Sequence, residues 1–147
     1  MKICTLLLTF LLSACSVVLE DYRNTEPRFD LQEYFNGEVS AWGLVQDYSG
    51  QLTRIFCVHI ICTWQGNQGQ LHETFYYADG QQDVRIWHLN VATNGEVNGI
   101  ADDVVGIATG NTEGSVFNWQ YVVTVPIDNN EYDFVIDDWM FQLDENR

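Results

Sequence analysis

Residues 115–125, Ser-Val-Phe-Asn-Trp-Gln-Tyr-Val-Val-Thr-Val, decide the fold. Phe117, Trp119, Tyr121, Val123 and Val125 fall on alternate positions, with Asn118, Gln120 and Thr124 between them. In an extended chain successive side chains point to opposite faces, so this stretch has one apolar and one polar face. It reads as a half-buried β-strand. Val116 and Val122 depart from the pattern on the polar side.

The same alternation continues downstream, where Tyr132, Phe134 and Ile136 are interleaved with Glu131, Asp133 and Asp137. Upstream, strand-forming segments predicted at 39–46, 52–64, 71–78, 84–92, 97–101 and 104–109 are punctuated by turn signals. These include Asp47-Tyr48-Ser49-Gly50, Gly66-Asn67-Gln68-Gly69, Asp79-Gly80, Asn94-Gly95 and Asn111-Thr112-Glu113-Gly114. Asn-Gly and Asp-Gly supply the positive φ that tight hairpins need. Links this short join antiparallel neighbours, because a parallel crossover needs about a dozen residues or more. The predicted fold is all-β: an antiparallel up-and-down meander of about eight strands, curled into a barrel, with a sandwich as the second choice.

The start of the chain reads differently. Met1-Lys2 is followed by an apolar run from Ile3 to Leu12 and then Ser13-Ala14-Cys15. One positive charge, a short apolar stretch and small residues describe a secretion signal. The run is shorter than the roughly 20 apolar residues a spanning helix needs. Leu12-Ser13-Ala14-Cys15 also resembles the bacterial lipobox, in which the cysteine thiol receives a diacylglycerol and the new amino end is acylated. On this reading residues 1–14 are a signal peptide, Cys15 is the lipidation site, 15–33 form a polar tether and 34–147 form the barrel-like domain. Each buried methylene is worth about 0.8 kcal/mol, so several acyl chains anchor firmly. Ser16 and Val17 follow the cysteine, without the Asp associated with inner-membrane retention, so the expected place is the outer membrane, facing the periplasm.

Six basic residues against 21 acidic ones give a formal charge of −15 over 147 residues. Such a chain repels nucleic-acid phosphates and anionic lipid head groups. Of four cysteines, Cys4 lies in the signal and Cys15 is assigned to the lipid. Cys57 and Cys62, five apart in a strand, point to opposite faces and lie about 16 Å from each other. They are expected to remain buried thiols, since a disulfide needs Cα atoms within about 7 Å.

The set Tyr34-Phe35-Asn36-Gly37, Ala41-Trp42-Gly43, Thr63-Trp64, Asp79-Gly80, Asp103-Val104-Val105-Gly106, Asn118-Trp119 and Asp137-Asp138-Trp139-Met140 resembles the bacterial lipoproteins of domain-of-unknown-function family 3833. The resemblance runs from about Tyr34 to the last residues. It implies an anchored, lipocalin-like all-β domain with no established activity. Family members typically continue with further strand-forming residues beyond Asp-Asp-Trp-Met, so the resemblance also implies a barrel incomplete at its C-terminus.

No catalytic, metal or cofactor motif emerges. An even-length loop around Asp79-Gly80 would set His72 opposite Trp87 or Leu89 and His88 on the other face. His72 would lie opposite Thr63, about 13 Å along the strand from His59, too far for the roughly 2.1 Å bonds of a zinc site. Asp128 to Asp133 lacks the glycine of a calcium loop and reads as a solvated turn. Asp102-Asp103 and Asp137-Asp138 each place neighbours on opposite strand faces, so neither is by itself a glycosidase pair. Arg54 and Arg85 are the only basic residues between Arg28 and Arg147. Each is expected either to pair with nearby carboxylates or to reach into the barrel and hold an anionic head group. Trp42, Trp64, Trp87 and Trp119, with Phe117, would then line an apolar interior or fill it. The expected role is a non-catalytic envelope binder of a lipid or other apolar molecule, the alternatives being a partner-docking lipoprotein and, third, an enzyme on lipid or glycan. The expected partners are the membrane, through the anchor, and an apolar small molecule.

Overall fold

The computed structural model describes residues 17–144. The expected signal and Cys15 lie outside the described residues. A 3-10 turn at Leu19–Tyr22 and a short helix α1, Leu31–Tyr34, precede eight strands. These are β1 Gly37–Gln46, β2 Leu52–Gln65, β3 Gln68–Tyr77, β4 Gln82–Val91, β5 Val97–Ile100, β6 Ala108–Glu113, β7 Val116–Ile127 and β8 Asn130–Phe141. They form one sheet in sequence order, each neighbour antiparallel. β1 and β8 are its two edges, so the predicted meander is present as a curled half-barrel that stays open.

Two registers differ from expectation, and the turns explain why. Tyr77 N donates to Gln81 O at 3.0 Å, Gly80 N donates to Tyr77 O at 3.0 Å, and Gly80 has φ +86°. This is a three-residue loop closed by a left-handed glycine. An odd loop pairs His72 with Ile86 and Leu71 with Trp87. A period-two strand flips faces with a one-residue shift, so His88 joins His72 on the convex face rather than opposing it. Across the β2–β3 turn His72 faces Ile61, not Thr63, and His59 faces Thr74. All three histidines therefore share the convex face. The sixth strand also sits later than expected. Ala108–Glu113 is extended, whereas Val104 makes only an isolated bridge to Val123.

The core is the concave face. Val58, Ile60 and Cys62 from β2, Leu71 from β3, Trp87 and Leu89 from β4, Val97 from β5, and Phe117 and Trp119 from β7 are buried there. The odd positions of 115–125 do point inward.

One end of the half-barrel is plugged by the last residues of the segment read as a polar tether, 15–33, together with Phe35 just after it. Phe29, Leu31 and Phe35 are buried and join the core. Phe29 stacks on Phe117 with ring centroids 5.7 Å apart. Asp30 caps α1, accepting from Gln32 N at 2.9 Å and Glu33 N at 3.0 Å. Phe29 N donates to Gly114 O at 2.8 Å, and Thr25 Oγ1 lies 2.8 Å from Ser115 Oγ. Upstream, Tyr22 packs on Trp139 and Phe141 on the convex side of β8. This cover explains Val116. It belongs to the outward set of β7, yet it is fully buried.

Candidate functional site

Above the plug the concave face encloses a cavity of about 300 Å³. Leu31 and Phe35 form its floor, and Phe56, Val58, Phe75, Trp87, Phe117 and Trp119 supply much of its wall. Trp119 can lie flat because two glycines make room. A Cβ on Gly99 would meet its ring at 2.8 Å, and one on Gly110 would meet it at 2.6 Å. Trp87 stands edge-on to Trp119 and Tyr121, with centroids 5.5 and 5.2 Å away.

Four polar side chains interrupt this apolar lining: Glu73, Arg85, Tyr121 and Asp138. Register brings them together from three regions of the sheet. Glu73 on β3 is the cross-strand partner of Arg85 on β4. Asp138 on β8 is the partner of Trp119 on β7, and Tyr121 is two residues further along. Asp103, from the β5–β6 connection, completes the group. Arg85 Nε lies 3.0 and 2.9 Å from its two carboxylate oxygens, and Nη2 donates to Oδ2 at 2.6 Å. Glu73 Oε2 stands 3.8 Å from Arg85 Nη1.

The cluster carries three carboxyls for one guanidinium. Burial pushes the Glu73 carboxyl up to about 7, with Arg85 opposing and Asp103 adding to the rise. Burial also raises Asp138, against the hydrogen bond from Tyr121 and the charge of Arg85. The Tyr121 hydroxyl is raised by burial and by Asp138. Burial works against the charge of Arg85, but the hydrogen bonds and charge of Asp103 outweigh it and raise its pKa. The site is thus a greasy pocket with a net acidic patch on its wall.

The sequence-predicted residues divide. Arg85, Trp87 and Trp119 line the cavity. Trp42 does not: it is on the convex side of β1 and 79% exposed, because even positions of that strand pair outward. Trp64 points to the concave side but at the plugged end. Its Nε1 donates to Phe35 O at 2.7 Å and its ring lies against Gly69, so it ties the plug down rather than lining the cavity. Arg54 also stays outside. Its guanidinium lies 3.5 Å above the Tyr77 ring and donates to Gln81 Oε1 at 2.9 Å, beside a separate groove at the β3–β4 turn. Arg85 reaches into the half-barrel and also pairs with carboxylates, so both readings of it describe one side chain. Its hydrogen-bonding edge is turned to Asp103 rather than left for an anion.

Glu73 was not singled out from sequence, Tyr121 was read only as one of the apolar-face residues of 115–125, and Asp103 and Asp138 were weighed only as members of adjacent carboxyl pairs. A signal was present: Glu73 and Arg85 are equidistant from Asp79, and a three-residue loop makes equidistant residues face each other. Asp138 shares the parity of Met140, which packs against the core. Its neighbour Asp137 faces outward and accepts from Asn118 Nδ2 at 2.7 Å, so the pair does split between faces. Cys62 is buried on the concave side and Cys57 half-buried on the other, both as free thiols. Among the described residues no group of three His, Cys, Asp or Glu is placed to hold a metal ion. Nor is any helix among them long and apolar enough to cross a membrane.

A family model described as protein of unknown function (DUF3833) matches residues 9–147. No curated protein and no solved structure matches the chain.

Proposed function

We infer that this chain, which belongs to that family of proteins of unknown function, is a non-catalytic binder of an apolar molecule, tethered to the bacterial envelope by acyl chains on Cys15. The observation that carries the binding reading is the cavity of about 300 Å³ behind aromatic walls and a plugged floor. That volume is at the lower end of the range for small-molecule sites, and such sites are mostly apolar with a few placed polar groups. The sequence Leu12-Ser13-Ala14-Cys15 supports the tether. Ser16 and Val17 after it favour the outer membrane's periplasmic leaflet.

The two halves are tested separately. Trp87 and Trp119 are built-in reporters, so alkyl chains brominated along their length should quench tryptophan emission saturably in the mature domain. Unquenched emission at every concentration would remove the binder reading. Metabolic labelling with radioactive palmitate should mark the wild-type chain and not Cys15→Ser, and the variant should leave the membrane pellet. If it still pellets with the envelope, the tether is wrong.

One observation favours a second reading. Glu73 and Asp138 both face the cavity, and a carboxyl with a pKa near 7 suits general acid–base work. Envelope lipid and glycan extracts incubated with the protein would yield a cleaved product, absent with Glu73→Gln. Unchanged extracts leave the binder reading standing alone.

A further inference from the structure

We propose that the cavity selects an amphiphile whose polar end is a protonated amine and discriminates against carboxylates and phosphates. This rests on the cavity being a binding site, and it assigns the chemistry of what enters.

The argument is charge accounting at named atoms. One cation, Arg85, reaches the cavity wall. Both of its nitrogens nearest Asp103 are committed, at 2.9 and 2.6 Å, to that carboxylate. Its remaining Nη1 looks toward Glu73 at 3.8 Å. An incoming carboxylate would have to displace Asp103 or Glu73, and either would then sit in a poorly solvated place without its partner. It would also meet Asp138, which lines the same cavity. A cationic nitrogen displaces nothing. The Glu73 side chain is 14% exposed, has the longer contact to Arg85 and a hydrogen bond from Trp87, and lines the cavity together with Asp138 and Tyr121. Together these give an ammonium group three oxygen acceptors. The surrounding rings add a second attraction, since cations are drawn to aromatic faces. The apolar body of the ligand would lie against Phe56, Phe75 and Trp87.

The experiment compares three probes with one chain length and different heads: dodecylamine, dodecanoate and dodecanol, each kept below its micellar range. Titration against the intrinsic tryptophan emission of the mature domain reads the affinities at pH 7.5. The expected result is that dodecylamine binds about tenfold tighter than dodecanoate, or more, with dodecanol between. Asp138→Asn and, separately, Glu73→Gln should narrow that ratio by weakening the amine and strengthening the carboxylate. Both replacements keep side-chain shape, and circular dichroism with a urea midpoint for each variant verifies that the sheet is intact. Dodecanoate binding as tightly as the amine, or tighter, overturns the charge assignment and leaves the binder reading intact. An unchanged ratio in both folded variants also overturns it. If no probe of the three binds, the binder reading itself falls and the assignment with it. Lyso-phosphatidylethanolamine of matched chain carries an anionic phosphate beside its amine, so it should bind more weakly than dodecylamine; binding as tight as the amine's would overturn the discrimination against phosphates.

Discussion

Arg85 and Glu73 face each other directly across β3 and β4, yet the guanidinium gives its short hydrogen bonds to Asp103 in the connection between β5 and β6. A local cross-strand pair has been traded for a longer-range one. The result staples an irregular connection to the middle of the sheet and leaves Glu73 with the 3.8 Å contact.

Removing that staple should be costly. Arg85→Met strands Asp103 and Glu73 without their cation. Breaking a buried pair costs about 3–5 kcal/mol, but the Asp103 side chain is 39% exposed, so about 1–3 kcal/mol is expected here. Asp103→Asn should cost less, and the double variant should be more stable than the two single losses added together. Urea midpoints for the four proteins give the coupling. Simple additivity would mean that the two side chains do not act on each other.

Glu73 makes stability depend on pH in a defined direction. Its carboxyl sits at about 7 in the folded chain, against 4.5 ordinarily. Below about 4.5 the group is protonated in both states, and its contribution is fully present. Between those values the folded chain holds a proton that the unfolded chain releases, so stability falls as pH rises, and the contribution is gone above 7. Each unit of difference is worth about 1.4 kcal/mol, so the loss is at most about 3–4 kcal/mol. Arg85, Asp103, Tyr121 and Asp138 surround the group in both the wild type and Glu73→Gln. Comparing their urea midpoints at pH 5 and pH 8 therefore isolates it: the wild type should lose more. Parallel behaviour of the two proteins would refute the buried-acid assignment.

The two thiols should react in sequence. Burial, helped by the charge of Glu73, pushes the Cys62 thiol up to about 11, so little thiolate is present at pH 8. Cys57 is half-buried on the convex face. A thiol reagent at pH 8 should label Cys57 in the native mature domain, and Cys62 only after denaturant is added. Mass spectrometry of the peptides assigns each site. Native labelling of Cys62 at a comparable rate would mean that the floor of the half-barrel opens readily.

The plug hangs on Gly114. Its φ is +55°, and an added Cβ would press into the Tyr22 carbonyl oxygen and the Thr25 hydroxyl. Gly114→Ala should cost about 1–3 kcal/mol and loosen residues 22–29. Trypsin should then cut after Arg23 and Arg28 much faster than in the wild type. Equal cutting rates would show that the segment is held without the Gly114 contact.

Much of the fold was legible because period two and positive-φ turn residues are local signals. The hairpin at Asp79-Gly80 was found, but its loop length was not. One residue of loop decides which side chains of β4 face inward, and Asp-Gly serves both two- and three-residue turns. That ambiguity misplaced His88 relative to His72, and the tighter β2–β3 turn, in which Gln65 pairs with Gln68, separately moved His72 from Thr63 to Ile61; Arg85, Trp87 and Trp119 are nevertheless among the candidate lining residues. Trp42 lies outside because residue type does not say which face of β1 its parity selects, and Arg54 because it sits near the start of β2, beyond the cavity. Phe29 and Leu31 looked like parts of a polar connector. Their role depends on the bottom of a barrel assembled from strands far along the chain. Asp103 was hidden for the same reason: nothing near it in sequence announces Arg85.

On the binder reading, the stoppered floor would also fix a direction of traffic. Phe29, Leu31 and Phe35 close the end nearest residue 17, where the chain leads back to the proposed attachment point. Should acyl chains hold that point to a bilayer, cargo could not rise straight from the adjoining leaflet through the base. It would have to arrive from the aqueous side, over the far turns or through the seam that β1 and β8 leave unzipped. The molecule would then act less like a wick drawing from its own membrane than like a cup held out to whatever passes.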